Sequence, residues 1–455
     1  RCRRGAIRFI LFACLLATLA AGRAARAQTP AQGTAQPAVK SPFSVPIYPL
    51  SEIKIGQKAV GKTVFLGNKV EEFEVEILGV MRNVQPRKNL IFSRVSGGPL
   101  ERTGVMAGMS GSPVYIDGKL VGAVSMTFQF IKEPLAGITP IEDMIDSLER
   151  TEQPAGGGAR ASLPAGSPLA GGKEIAVAAA GDGGPRVLLS QVDPAIAPPT
   201  PGAARVVWGG ADTSLMQVAT PLNLSGFTAE AIEHFAPQFK QLGWVPVQGA
   251  GGGTGTAAGG APQASTPPPQ PGSMISVQLV RGDMAVAADG TVTHVENGRL
   301  YAFGHPFLSA GPVELPFTEA SVIAGIPSYA NSMKLSTPGR PLGVISQDQA
   351  SGIGGVLGRA ARMVPVELEM ISDSAPTETF NVEVAADRFL MPFLMNLTVF
   401  SAIGARERQV GDATFVVEQD IALRGLPRVQ LQNYISTPAN GAALAARAVV
   451  VPLSV

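Results

Sequence analysis

Ser110 stands in the run Gly108-Met109-Ser110-Gly111-Ser112-Pro113. A serine hydroxyl attacks a carbonyl when it projects from a sharp turn and when N–H groups are already aimed at the oxyanion that forms. The pattern G-x-S-G-x-P supplies both. Ser110 is the candidate nucleophile, the amides of Gly108 and Ser110 are the candidate oxyanion hole, and the glycines permit the unusual dihedrals. The competing reading is a small residue in a glycine-rich corner of a β-protein. The hairpin that follows, "SPVYIDGKLVGAVSM", leads to Ser125, whose strand can pair with an extended peptide.

A nucleophilic serine needs a base, and the chain has only His234, His294 and His305. His234 lies beside an apolar stripe on an amphipathic segment and His294 in a hairpin strand with polar neighbours, so both read as surface residues. His305 falls between Gly304 and Pro306 in "YAFGHPFL", where an apolar strand must turn. No two histidines are spaced as ligands on one element, so neither a metal nor a cofactor is expected.

Two other motifs lead away from this chemistry. Gly56 to Thr63, "GQKAVGKT", fits the phosphate-binding loop pattern, but that loop requires a following helix, and here "VFLGNKVEEFEVEIL" alternates with a period of two. The glycine cluster "GIGGVLG" at 352–358 reads as a turn or bulge.

The elements that must position Ser110 and His305 are mostly strands. "KTVFLGNKVEEFEVEIL" predicts a hairpin around Gly67-Asn68, with Phe73, Val75 and Ile77 alternating against Glu72, Glu74 and Glu76. "NLIFSRV" adds a strand, and Asp117-Gly118 and Asn297-Gly298 mark further hairpin turns. "TPIEDMIDSLERTE" predicts a helix with Thr139 as cap and Pro140 in the first position, its stripe being Ile141, Met144, Ile145 and Leu148. A short helix is expected over 228–244 and a buried one within "DRFLMPFLMNLTVFSAIGA". "PRVLLSQV", "TFVVEQDIALRG" and "RVQLQNYI" read as strands, and "VVVPLSV" as a strand-like tail.

The first 27 residues combine an arginine-rich start, an apolar run from Ala6 to Ala21 and the small-residue sequence Ala25-Arg26-Ala27. This pattern predicts a secretory signal peptide, with a membrane anchor as the competing reading. Its removal takes six of the 36 basic residues and no acid, leaving 30 against 35 and a net charge of −5. Such a balance offers nothing to a nucleic-acid backbone. Both cysteines, Cys2 and Cys14, leave with it, so the exported chain forms no disulfide.

Over a longer stretch, "EEFEVEILGV", "TGVMAGMSGSPVYIDGKLVGAVSM" and "AGITPIEDM" resemble the SpoIVB-type (stage IV sporulation) serine peptidase family. The resemblance implies a trypsin-like fold, Ser110 as nucleophile, and a hydroxyl residue in the following strand at Ser125. The general base of that family lies in a glycine-histidine turn, which matches "GTVTHVENGRLYAFGHPF" and so His305. In the family the histidine half comes first. Here it follows, which implies a circular permutation. Where the family carries an aspartate this chain has "RVSGGPLERTG", placing Ser96 near that position. The third member is open among Ser96, Ser125, and the carboxylates Asp348 and Glu314 of the histidine half.

The expected protein is mainly β, a trypsin-like double β-barrel assembled from two sequence halves, with a small helical insertion and Gly/Pro-rich linkers. The expected division is 1–27 signal peptide, 28–41 polar leader, 42–152 serine-bearing half, 153–273 low-complexity linkers around the helix at 228–244, 274–400 histidine-bearing half, and 401–455 a C-terminal β-rich segment. The expected function is an exported, periplasmic or secreted, serine endopeptidase that forms an acyl-enzyme on Ser110. It takes a protein or peptide substrate and has no nucleic-acid partner, no metal, and no membrane span once the signal is removed. The alternative is a catalytically silent binding or scaffold protein of the same fold.

Overall fold

A computed structural model describes residues 43–86, 88–128, 130–149, 215–249, 268–372, 375–406, 410–439 and 441–450. The expected signal peptide and the strand expected at "PRVLLSQV" lie outside these residues.

The alternation in the first half closes a barrel. Strands β1 (Lys58–Val64), β2 (Val70–Gln85), β3 (Lys88–Ser96), β4 (Pro113–Ile116), β5 (Lys119–Phe128) and β6 (Leu135–Pro140) pair in the ring β1-β2-β3-β6-β5-β4, which the β4–β1 ladder closes. Phe73, Val75 and Ile77 of β2 point into its core against Ile91, Val95, Val114, Val124 and Ile138. The glutamates between them face outward, where Glu76 meets Lys58 and Arg94. The short helix α1 (Leu100–Thr103) leads to the serine turn. Helix α2 (Ile141–Glu149) covers the barrel's end with the expected stripe buried. Thr139 is not its cap, because it belongs to strand β6, and its hydroxyl is used elsewhere.

A second barrel repeats the plan. Past β7 (Leu215–Gln217), β8 (Thr220–Ser225), helix α3 (Ala229–Gln241, capped by the Thr228 hydroxyl) and β9 (Trp244–Gln248) come six barrel strands. They are β10 (Met274–Gly282), β11 (Ala285–Glu296), β12 (Arg299–Ala302), β13 (Gly311–Ile326), β14 (Met333–Gln349) and β15 (Gly352–Leu357). Their ring, β10-β11-β12-β15-β14-β13, runs through first, second, third, sixth, fifth and fourth strand in the same order as the first barrel. The expected trypsin-like double barrel is therefore present. The cluster "GIGGVLG" corrects its reading as a turn, since six of its residues are β15. Strand pairing on both sides holds them extended.

Residues 215–248, expected as linker around one helix, carry three strands as well: β7 joins the first barrel, while β8 and β9 extend the second sheet. On its other side that sheet continues into β16 (Met363–Ser372) and β17 (Ala375–Ala385). Helix α4 (Leu390–Gly404), apolar on all faces and nearly all buried, crosses the boundary expected at 400. The hairpin β18 (Val410–Ile421) and β19 (Val429–Ala439) follows, and then helix α5 (Gly441–Val450) begins what had read as a strand-like tail. "GQKAVGKT" runs straight into β1, with Lys62 paired to Glu72, and the segment after it is strand β2 rather than a helix.

Candidate active site

Ser110 and His305 occupy corresponding places. Each lies between the third and fourth strand of its own barrel, Ser110 between β3 and β4 and His305 between β12 and β13. The serine turn folds on itself through Met109 N to Met106 O (3.0 Å) and Ser112 N to Met109 O (2.9 Å). It is anchored to β5 by Gly111 N to Val124 O (2.8 Å). Among the described residues no acceptor is bonded to the amides of Gly108 or Ser110, so both remain available to an oxyanion.

The turn is clamped to the second barrel. Thr291 N donates to the Ser110 carbonyl, and the hydroxyls of Thr291 and Thr293 donate to the carbonyls of Gly108 and Gly111, each at 2.8 Å. Gly111 has φ +94°, and a Cβ there would lie 1.9 Å from the Thr291 carbonyl oxygen and 2.5 Å from Phe303 N. Only glycine fits this seam.

The histidine turn packs against the same β5 backbone. A Cβ on Gly304 would sit 3.0 Å from Ala123 Cβ, 3.3 Å from Ser125 Cβ and 3.3 Å from the Val124 carbonyl. Thr139 Oγ1 lies 2.7 Å from both Ser125 Oγ and the Gly304 carbonyl, to which it donates. That bond across the seam is what takes Thr139 from its expected role as a cap. The carbonyl that anchors Gly111 thus also abuts Gly304, and the two turns share one seam.

His305 is buried, and burial pulls its pKa down to about 4, opposed by the carbonyls of Pro306 and Val218. Its Nδ1 lies 2.7 Å from the Pro306 carbonyl. A carbonyl can only accept, so the proton sits on Nδ1 and Nε2 carries the lone pair. Nε2 and Ser110 Oγ are both buried, and among the described residues neither has a hydrogen-bond partner. They are not bonded to each other in this state.

The four candidates for a third member separate clearly. Asp348, at the end of β14 and 1% exposed, accepts from the amides of Phe307 (2.7 Å), Leu308 (2.6 Å) and Ala310 (3.1 Å). It therefore ties down the loop that carries His305. Burial raises its pKa, and those amides work against the rise. Ser125 lies beneath Gly304, within 3.3 Å of the Gly137 carbonyl. Ser96 is engaged with Glu74 at the end of β3, and Glu314 pairs with Arg362 near the surface. Among the described residues neither is hydrogen-bonded to the histidine turn.

His294, expected at the surface, is 3% exposed, because Phe43 (centroids 4.2 Å apart) and Tyr301 cover it while Glu296 meets its Nε2 at 3.2 Å. His234 is exposed and stacks on Phe400. Among the described residues no group of three His, Cys, Asp or Glu side chains could hold a metal.

One buried cluster beside the serine turn escaped the sequence reading. Lys334 is fully buried with Nζ 2.7 Å from Thr63 Oγ1, which is itself 3.1 Å from Ser112 Oγ. Burial pulls its pKa down to about 7, offset in part by Asp289. Asp289 is pushed up to about 6 by burial, against the hydroxyls of Ser276 and Ser336 and the amide of Asn223. Ser332, just before β14, and Lys334 and Ser336 within it alternate, a pattern that reads as a solvent face, yet all three are buried.

Two barrels of one ring order meet at a seam that holds the serine turn and the histidine turn. Residues 29–145, which include Ser110, match the family model described as SpoIVB peptidase S55. No curated protein and no solved structure matches the chain. Among the described residues no helix is long and apolar enough to cross a membrane.

Proposed function

We propose that the chain is an exported serine endopeptidase in which Ser110 attacks the substrate carbonyl and His305 takes its proton. The observation that carries this reading is the packing of both turns on one β5 carbonyl, at corresponding places of two like barrels. His305 Nε2, as the unprotonated nitrogen, receives the Ser110 proton and returns it to the leaving amine. The amides of Gly108 and Ser110 stabilise the oxyanion. Asp348 is a positioning residue that holds the histidine loop through three amides. The serine half precedes the histidine half, and we read this as a circular permutation of the family's order.

The bond from His305 Nδ1 to its own loop carbonyl, rather than to a carboxylate, favours the second reading, a silent binding protein. A fluorophosphonate probe separates the two: a peptidase is labelled at Ser110 and a scaffold is not. Ser110→Ala should abolish labelling and casein hydrolysis while leaving stability unchanged or slightly raised, because the hydroxyl it removes is buried without a partner. Wild-type activity in Ser110→Ala would refute the assignment of the nucleophile.

A further inference from the structure

The two amides assigned to the oxyanion each share a peptide unit with a carbonyl, and in a planar trans peptide the N–H and the C=O point in opposite directions. Whatever holds the carbonyl therefore aims the amide. The Gly108 amide is joined to the Ala107 carbonyl, which accepts from Lys334 N at 3.1 Å, while Ala107 N donates to the Ser332 carbonyl at 2.7 Å. The Ser110 amide is joined to the Met109 carbonyl, which accepts from Ser112 N at 2.9 Å. Ser112 is held in turn through its hydroxyl, 3.1 Å from Thr63 Oγ1, to which Lys334 Nζ donates at 2.7 Å. The stem of the same lysine lies against Gly108, its Cδ 3.5 Å from where a Cβ would stand. One residue of the second barrel thus reaches both oxyanion peptides of the first, one through its backbone and the other through its ammonium.

The ammonium is costly where it lies. Lys334 and Thr63 have no exposure, and a cation taken out of water costs stability unless it is paired. Asp289 of β11 offsets the charge, yet the hydrogen bonds that Asp289 accepts come from Ser276, Ser336 and Asn223, and Nζ donates across the seam to Thr63 instead. Thr63 of β1, Ser112 of the serine turn, Met274 of β10, Asn223 of β8 and Gly325, its pair on β13, are uncharged, so Asp289 is the charged group that faces it. A methionine would fill the same space against Gly108 without that cost. On the basis of the peptidase reading above, we infer that Lys334 is the positioning residue of the oxyanion hole, its backbone N–H aiming the Gly108 amide and its ammonium holding the Ser110 amide through Thr63 and Ser112.

The test reads fluorophosphonate labelling of Ser110 in the full chain at pH 6, where the ammonium keeps its proton. Thr63→Val, which removes the hydroxyl at nearly constant shape, should label about 10- to 100-fold more slowly at saturating probe, approaching the loss of one oxyanion donor, with the half-saturating concentration unchanged. Thr63→Ser keeps the hydroxyl and should label like the wild type. Lys334→Met combined with Asp289→Asn removes both buried charges together and should slow labelling as Thr63→Val does. The wild-type rate should fall above about pH 7, as the ammonium loses its proton, and the double variant should show no such fall. Should the double variant fail to fold, the two Thr63 variants decide. A wild-type rate in Thr63→Val overturns the inference and leaves the peptidase reading standing, as does a slowing that Thr63→Ser shares or one confined to the half-saturating concentration. A wild-type rate that rises through pH 7 makes the amine a base and overturns it too. If the wild type is not labelled at all, the peptidase reading fails and takes the inference with it.

Discussion

Asp348→Asn changes one buried carboxylate that accepts from three amides of the histidine loop, Phe307, Leu308 and Ala310, at 2.6 to 3.1 Å. Asparagine keeps one acceptor oxygen and turns an NH2 group toward the remaining N–H groups, so at least one buried amide loses its partner. A buried donor left unsatisfied costs about 1–3 kcal/mol, and the bonds that persist lose their charge assistance. The expected destabilisation is about 2–3 kcal/mol. At about 2–4 °C per kcal/mol for a domain of 150–250 residues, the melting temperature should fall by about 4–12 °C. Calorimetry measures that fall, and amide hydrogen exchange should show lost protection confined to the loop after β12. Fluorophosphonate labelling at Ser110 should slow at every pH, since the loop positions His305 whatever its protonation state. An unchanged melting temperature together with wild-type exchange at Phe307 and Leu308 would refute the claim that Asp348 holds the histidine loop.

Two further outcomes follow from the seam. Gly111→Ala should prevent the two barrels from closing on each other, because its Cβ would stand 1.9 Å from the Thr291 carbonyl at φ +94°; soluble, cooperatively unfolding Gly111→Ala protein with normal labelling would contradict this. His305 has a folded pKa of about 4 against an ordinary 6.5, so the unfolded chain binds the extra proton between these values and stability falls as pH drops from about 6.5 to 4. The loss amounts to about 3 kcal/mol. Asp289, raised to about 6, acts in the opposite direction over part of that window, so the comparison is between wild type and His305→Gln in urea melts at pH 7 and pH 4.5. The variant should lose less stability than the wild type over that interval, and equal losses would refute the assignment.

Local chemistry was legible wherever it acts over a few residues. The period-two run of β2, the Asp117-Gly118 and Asn297-Gly298 turns with their positive φ values, the buried stripe of α2 and the strand that follows the phosphate-loop lookalike are all dictated by neighbours in sequence. The serine and histidine turns were legible for the same reason, since the glycines beside Ser110 and His305 announce a constrained backbone. The sequence by itself thus determined two β-rich halves, each with one glycine-flanked turn that carries a candidate residue for the proposed acyl transfer. Only the tertiary structure decided which carboxylate meets the histidine loop, because Asp348 finds its amides about 40 positions away in the chain. It alone also took Thr139 from a helix cap to a bond with Gly304 and turned His294 and Lys334 inward. Above all it laid Leu215–Gln217 along β5, a pairing through backbone groups that every residue carries. Backbone hydrogen bonding leaves no mark on side-chain pattern, so the strand that takes this edge of β5 could be found only where the chain had folded onto it.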